Sequence, residues 1–435
     1  MRTGRSSRNW ADRRIAERSP EEILRAREPI GWRLGLERMR RLCLLLGMPQ
    51  HRFASIHVVG TNGKTSVARM TMALLEAHGV SAGAYVSPHI SSWRERILIG
   101  GEPISEEAFA SAVKRTEQAA QVADRSAGEE GPVTQFELDT AAAFVAFAQA
   151  RVQWAVIEAG LGGRLDATNV IPSQLTVLTS VGLDHTQWLG ETVEEIAAEK
   201  LAVLRDHTAL ITGLVPTVVE PVVEREVERK HATRIAIQVA ATPRDDEGED
   251  APVNFRMTNV ALAMSAAQEA LGQIDSEKVK MLLDFTIPGR AQLVRGDPNV
   301  IYDAAHNPDG ARALSEALPE LAGGSPIVCC IAILAEKDAR AIIDALAPAC
   351  AAFVCTQIPE EAIRGSGRPV GESQPAADLA EICRELGAES EAIADPLAAW
   401  RRARELAGER DGVALAAGSH YLLSSIWIGR PDQSS

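Results

Sequence analysis

The run Gly60-Thr61-Asn62-Gly63-Lys64-Thr65-Ser66 constrains this chain more than any other feature. It follows a short apolar strand pattern, Ser55–Val59, and leads into a helical pattern from about Lys64 to His78. Glycines let backbone N–H groups converge on phosphate oxygens, and the helix start adds a favourable dipole. Lys64 supplies a point charge and Thr65 a hydroxyl suited to Mg²⁺. Val58 stands where the longer G-x-x-x-x-G-K-[ST] loop has its first glycine, so this is a shortened phosphate loop. The alternative, a structural glycine turn with a surface lysine, fits the strand–loop–helix setting poorly.

Strand and helix patterns then alternate, which predicts a parallel sheet wrapped by helices. Strands are expected at Ala82–Val86, Trp154–Glu158, Leu175–Ser180 and Ala209–Thr212, and helices at Ser105–Val122, Gln135–Ala150, Val193–Leu204, Met257–Leu271 and Ser276–Asp284. Residues 30–46 carry apolar side chains at helical spacing, and the arginine-rich start before them reads as a frayed tail. Thr242–Pro252 is acidic and proline-bounded, and reads as a surface loop. Ile287-Pro288-Gly289-Arg290 reads as a hinge. Beyond it the alternation restarts, with strands at Val300–Asp303, Pro326–Leu334, Ala351–Thr356 and Gly412–Ala416. The expected architecture is α/β: a P-loop-type parallel-sheet ATPase domain over 1–288, then a smaller Rossmann-like α/β domain over 289–435.

The 435 residues carry a net charge of −14 and no basic stripe, which argues against nucleic acid as a partner. No apolar run approaches the ~18–20 residues that span a bilayer. The six cysteines form no C-x-x-C pair, so buried thiols of a cytoplasmic protein are expected rather than structural zinc. In so acidic a chain, the Arg and Lys residues inside glycine-rich motifs are the candidates for holding an anion.

A second motif sits at the predicted end of the strand Trp154–Glu158. Glu158 is followed by Ala159-Gly160-Leu161-Gly162-Gly163-Arg164-Leu165-Asp166-Ala167-Thr168-Asn169. Ligands of open α/β sheets bind at the carboxyl ends of strands. A carboxylate there, facing a phosphate loop, suits Mg²⁺, which takes a few oxygen ligands and keeps waters and substrate oxygens.

Further runs complete a set: Ser87-Pro88-His89 with Arg94-Glu95-Arg96-Ile97, Gly182-Leu183-Asp184-His185-Thr186, Glu199-Lys200, Pro288-Gly289-Arg290-Ala291-Gln292 and Asp303-Ala304-Ala305-His306-Asn307-Pro308. With the shortened loop, their order and spacing resemble the folylpolyglutamate synthase/dihydrofolate synthase family of the Mur ligase superfamily, from about Gly35 to Leu423. The resemblance implies an ATP- and Mg²⁺-dependent, ADP-forming ligase. Such an enzyme joins L-glutamate to dihydropteroate or a reduced folate through an acyl phosphate.

The resemblance also implies roles. Gly60 to Ser66, Asn259, Arg290 and Asp303 would contact ATP. Ser87, Glu158, His185 and Lys200 would serve two Mg²⁺ sites, with Lys200 carbamylated. Lys64, Glu158, His185 and Lys200 would carry catalysis. Thr134, Gln135, Phe136, Glu137 and Leu165-Asp166-Ala167 would contact the pterin, with Gln135 in place of a second aromatic. Arg164 would steady an anionic substrate, and His306 with Lys337-Asp338 would face glutamate.

Alternatives stand beside these roles. Ser87 reads equally as a turn cap, His185 as a core histidine and Lys200 as a surface ion-pair partner. Phe136 reads equally as helix core, Arg164 as a loop pin and Arg290 as an interdomain ion pair. A monomer is expected. The rival functions are another Mur-type ligase acting on a different carboxylate and a non-synthetic P-loop ATPase.

Overall fold

The computed structural model describes residues 15, 17–27, 30, 33–237, 254–364 and 371–427. They form two compact units, the first from residues up to 237 together with 257–284, the second from 254–256, 285–364 and 371–427.

The first unit is built on an eight-stranded sheet. Its strands are β1 (Ala54–Val59), β2 (Ala82–Tyr85), β3 (Ile97–Ile99), β4 (Glu102–Pro103), β5 (Trp154–Glu158), β6 (Leu175–Leu178), β7 (Ala209–Thr212) and β8 (Thr233–Ala236). The order is β4-β3-β2-β5-β1-β6-β7-β8, with β2 to β8 parallel and only β3 and β4 antiparallel at one edge. β1 and β5 are central, which explains their near-continuous runs of apolar and β-branched residues: both faces are covered by helices. Ile56 and Val58 face one cluster with Val67, Met72 and Leu75 of the Lys64–Ala77 helix. Ile157 faces another with Leu138, Phe144 and Phe147 of the Gln135–Ala150 helix.

The second unit has six strands: β9 (Gln292–Val294), β10 (Asn299–Tyr302), β11 (Ile327–Ile331), β12 (Ala352–Cys355), β13 (Ser390–Ala392) and β14 (Val413–Ala417). Their order is β13-β12-β11-β14-β10-β9, parallel except for β9. Both sheets are therefore of the expected α/β type.

Several elements differ from the expectations. The helical reading of 30–46 holds only for Glu37–Leu45, because Gly35 turns the chain at φ +144. β6 stops at Leu178, where Thr179 and Ser180 leave the ladder to bond the phosphate loop. The Val193 helix ends at Leu201 rather than Leu204. The expected helix 276–284 is one α-turn, Ser276–Val279, followed by a 3₁₀ stretch, Lys280–Asp284. The helix Glu220–Arg229, with Val222 and Val223 buried on one face, is not among the expected elements, and the short strands β3, β4, β8, β9 and β13 carry too little apolar periodicity to be read from sequence. The acidic run 242–252 lies outside the described residues.

All six cysteines are buried and unbonded. No described helix is long and apolar enough to cross a membrane.

Candidate active site

The phosphate loop leaves the end of β1 and enters the Lys64–Ala77 helix at Gly63. Gly60, at φ +155, has Thr179 Oγ1 only 1.9 Å from where a Cβ would stand, so no side chain fits. Gly63, at φ +83, would place a Cβ 2.6 Å from Asn259 Oδ1. Asn259 therefore lies directly over the loop, from the helix Phe255–Leu271.

The end of β6 holds the loop from the other side. The Thr61 amide donates to Ser180 O (2.9 Å), the Asn62 amide to Ser180 Oγ (2.9 Å), and Thr179 Oγ1 to Asn62 O (2.6 Å). Thr61 Oγ1 accepts from the Gly182 amide at 3.0 Å. Fixing these backbone groups in advance spares the loop a rearrangement when an anion arrives.

Three of the expected residues meet around one carboxylate. Glu158, at the end of β5, is 2% exposed. Thr65 Oγ1 donates to it at 3.0–3.1 Å, and the Ser87 amide donates to Glu158 Oε2 at 3.1 Å. Hydroxyl and carboxylate oxygens side by side at a phosphate loop are the donor chemistry of a hard divalent cation. Among the described residues, no three or more His, Cys, Asp and Glu side chains cluster as a metal cage. Mg²⁺ does not ask for one, since substrate phosphates and water fill most of its shell.

Two lysines converge on the same loop. Lys64 Nζ donates to Gly60 O (3.0 Å) and Thr61 O (3.1 Å), and Lys200 Nζ to Gly60 O (2.9 Å). Lys200 is 4% exposed, which overturns its reading as a surface ion-pair residue. Burial, then the neighbouring Lys64 charge, lower its ammonium to about 7. His185 sits just before the short helix Thr186–Leu189 at φ +51, with Nε2 3.8 Å from Asp184 Oδ1.

The glycine turn after Glu158 is packed tightly at its glycines. A Cβ on Gly160 would meet Phe136 Cζ at 2.4 Å, and one on Gly163 would meet the carbonyl oxygens of Lys200 and Glu199 at 2.7 and 2.8 Å. Asp166 Oδ2 accepts from the Leu161 amide (2.8 Å) and Oδ1 from the Thr168 amide (2.9 Å). Arg164 pairs with Glu199 at 2.9 Å, and Leu165 is exposed.

Of the segment 134–137, Thr134 and Glu137 form the capping box of the Gln135–Ala150 helix. Glu137 also pairs with buried Arg38 (3.0 Å), and Gln135 Nε2 donates to Leu24 O (3.1 Å). Phe136 alone of the four turns its ring to Gly160, with Tyr85 6.2 Å away.

The second unit carries its own set. Asp303 accepts from the Ala291 and Ala305 amides (2.6 and 2.7 Å), and burial raises its carboxyl. Arg290 lies next to this turn, with Nη1 donating to Gly289 O at 3.4 Å. His306 Nδ1 is 2.9 Å from Ala304 O, and Asn307 caps the helix Pro308–Leu321.

Sequence reasoning missed Arg38, His57, Thr168 and Arg205. The available signal was polarity in apolar surroundings: a histidine inside β1 and an arginine just past a buried helix.

Comparison with known proteins fits this geometry. Residues 58–215 match the Mur ligase middle domain and 289–420 the Mur ligase glutamate ligase domain. The chain is 36% identical to the dihydrofolate synthase/folylpolyglutamate synthase of Mycobacterium tuberculosis over 358 residues, 74% of each protein. The chain belongs to the folylpolyglutamate synthase/dihydrofolate synthase family. Among solved structures, the M. tuberculosis folylpolyglutamate synthase complexed with ADP superimposes with a TM-score of 0.81 at 30% identity, covering 95% of this chain and 98% of that one. A bifunctional folylpolyglutamate synthase/dihydrofolate synthase with Mn, AMPPNP and L-glutamate bound gives a TM-score of 0.78 at 27% identity, covering 94% and 97%. The structure of this family member thus matches relatives whose nucleotide sites have been seen occupied.

Proposed function

We propose that this family member is an ATP-dependent, ADP-forming ligase that adds L-glutamate to dihydropteroate, to folate polyglutamates, or to both. The observation that carries the reading is the meeting of Thr65, Glu158 and Ser87 beside a prearranged phosphate loop. The acceptor carboxylate attacks the γ-phosphorus of ATP, an O–P bond forms and ADP leaves. The glutamate amine then attacks the acyl carbon and phosphate leaves, the amine proton passing to solvent or phosphate.

Phosphoryl transfer is mainly positioning and charge neutralisation. The loop amides and Lys64 hold the β- and γ-phosphates, and Lys64 exchanges its contacts to Gly60 O and Thr61 O for phosphate oxygens. Thr65, Ser87, Glu158 and His185 would hold Mg²⁺, which when bound neutralises phosphate charge. Asn259 reaches the nucleotide from above Gly63. Phe136 and the 160–167 turn form the pterin wall. Nucleotide contacts for Arg290 and Asp303 and a glutamate contact for His306 rest on the motif match, the domain limits 1–288 and 289–435 on the turn Ile287–Arg290, and a cytoplasmic location on the unpaired cysteines; a monomer is the expected state.

Lys200 is assigned as the carbamylated residue. An amine lowered to about 7 is about half uncharged in neutral solution, and that half can take up CO₂, releasing a proton and becoming an oxygen donor. A native mass spectrum of the intact active protein should carry the mass of one added CO₂ that Lys200→Ala lacks, and an unmodified intact mass in fully active enzyme refutes the assignment.

The deciding assay supplies dihydropteroate, or separately tetrahydrofolate, with ATP, Mg²⁺ and glutamate, and follows phosphate release and product mass. Turnover lost in Lys64→Ala and Glu158→Gln, with folding retained, supports the reading. No turnover with either acceptor removes the folate assignment and leaves a Mur-type ligase of another carboxylate.

A further inference from the structure

Asp166 forms part of the pterin wall in the reading above, yet its own carboxylate is held by something behind it. Thr168 Oγ1 lies 2.5 Å from Asp166 Oδ1, and His57 Nε2 lies 2.8 Å from Thr168 Oγ1. His57 is wholly buried on β1, with three strands on one side of it and four on the other, and its register partners are Ile157 on β5 and Thr176 on β6. Arg205 closes the far end of the same turn, donating to Asn169 O (2.8 Å) and Ile171 O (2.9 Å).

Counting protons gives this chain a direction. Burial pushes the Asp166 carboxyl up, but both of its oxygens accept backbone amides, Leu161 on Oδ2 and Thr168 on Oδ1, the pattern of an ionised carboxylate, so the Thr168 hydroxyl donates to it. Thr168 then has lone pairs to offer, and His57 must donate from Nε2. The imidazole is therefore neutral with its proton on Nε2. Its bare Nδ1 has no bonded partner among the described residues, nor do Thr176 Oγ1 and Ser55 Oγ, which alternation and register place on the same sheet face. A buried histidine that served only packing would not need a hydroxyl relay pointing at the carboxylate that braces this turn.

We propose that His57 is a positioning residue for the acceptor site: through Thr168 it orients the Asp166 carboxylate, and through Asp166 the Leu161 amide and the turn whose Gly160 abuts Phe136. The relay touches neither the phosphate loop carbonyls nor Glu158 in any described hydrogen bond, so its loss weakens the acceptor and spares ATP. Its kinetic consequence rests on the ligase reading above, whereas the proton arrangement does not.

Two measurements test it on the full chain. In steady-state kinetics, His57→Phe and Thr168→Val should raise KM for the pterin acceptor about tenfold, the loss expected of a buried hydrogen bond left unmade. KM for ATP should change by less than about twofold. His57→Gln, whose side-chain amide can donate from nearly the same position as Nε2, should restore the acceptor KM. Equal rises in both KM values, or no rescue by Gln, overturn the relay. In ¹⁵N spectra of histidine-labelled wild type, the His57 ring should show a protonated Nε2 and a bare Nδ1, and the opposite tautomer overturns the relay. If the wild type ligates none of the acceptors, the functional reading fails while the tautomer still decides the relay.

Discussion

The buried imidazole of His57 should make the protein measurably acid-sensitive. Desolvation, with the nearby Arg205 charge, lowers its pKa from 6.5 to about 3 in the folded state. Between those two values the unfolded chain binds a proton that the folded chain refuses. Its contribution to stability is therefore complete above 6.5 and falls as pH drops toward 3. Between about pH 7.5 and about pH 5, that difference in proton binding integrates to about 2 kcal/mol. Carboxylates titrate over part of the same range, so the wild type alone does not isolate the histidine. His57→Gln removes the titration and keeps a donor for Thr168. Urea unfolding of both proteins at the two pH values should show the wild type losing about 2 kcal/mol more than the variant, a fair fraction of a domain's total stability. Parallel losses in the two proteins would mean that the folded imidazole protonates readily, and would refute both the burial argument and the neutral tautomer on which the relay depends.

Gly163→Ala should cost about 1–3 kcal/mol in the same unfolding assay, because its Cβ meets two backbone carbonyls that cannot rotate away. Gly160→Ala meets only the tip of the Phe136 ring, so calorimetry should find it nearly as stable as wild type while the acceptor KM rises. Arg38→Leu strands the buried Glu137 carboxylate and should cost about 3–5 kcal/mol, with most of that recovered when Glu137→Leu is added. A double variant no more stable than the single one would assign Arg38 a role other than charge pairing.

Much of the site was legible before any coordinates, for a physical reason. Phosphate loops and strand-end carboxylates are local in sequence, and the spacing of Gly60, Gly63, Lys64 and Thr65 is itself the geometry of the backbone around an anion. The central strands were equally plain, since β1 and β5 are buried on both faces and must read as apolar runs. The edge strands were not: β4 is two residues long and β8 is half polar, so neither carries a period.

The sequence by itself determined the α/β order, the shortened phosphate loop and the identity of the residues brought to it. Only tertiary structure decided their states. Lys200 looked like any helical surface lysine, and its ammonium is pushed down to about 7 because the fold buries it against the phosphate loop. Asn259 is almost two hundred residues from the phosphate loop in sequence, yet the helix sets its amide against Gly63. Thr134, Gln135 and Glu137 read as substrate contacts, and the fold uses them to cap a helix and to anchor Arg38 and the Leu24 carbonyl, leaving Phe136 to face the turn. His57 and Thr168 are more than a hundred residues apart, and their bond exists only because β1 lies beside β5, the strand from which the Asp166 turn departs. Burial and long-range pairing set protonation and hydrogen-bond direction, and neither is written in the spacing of a motif.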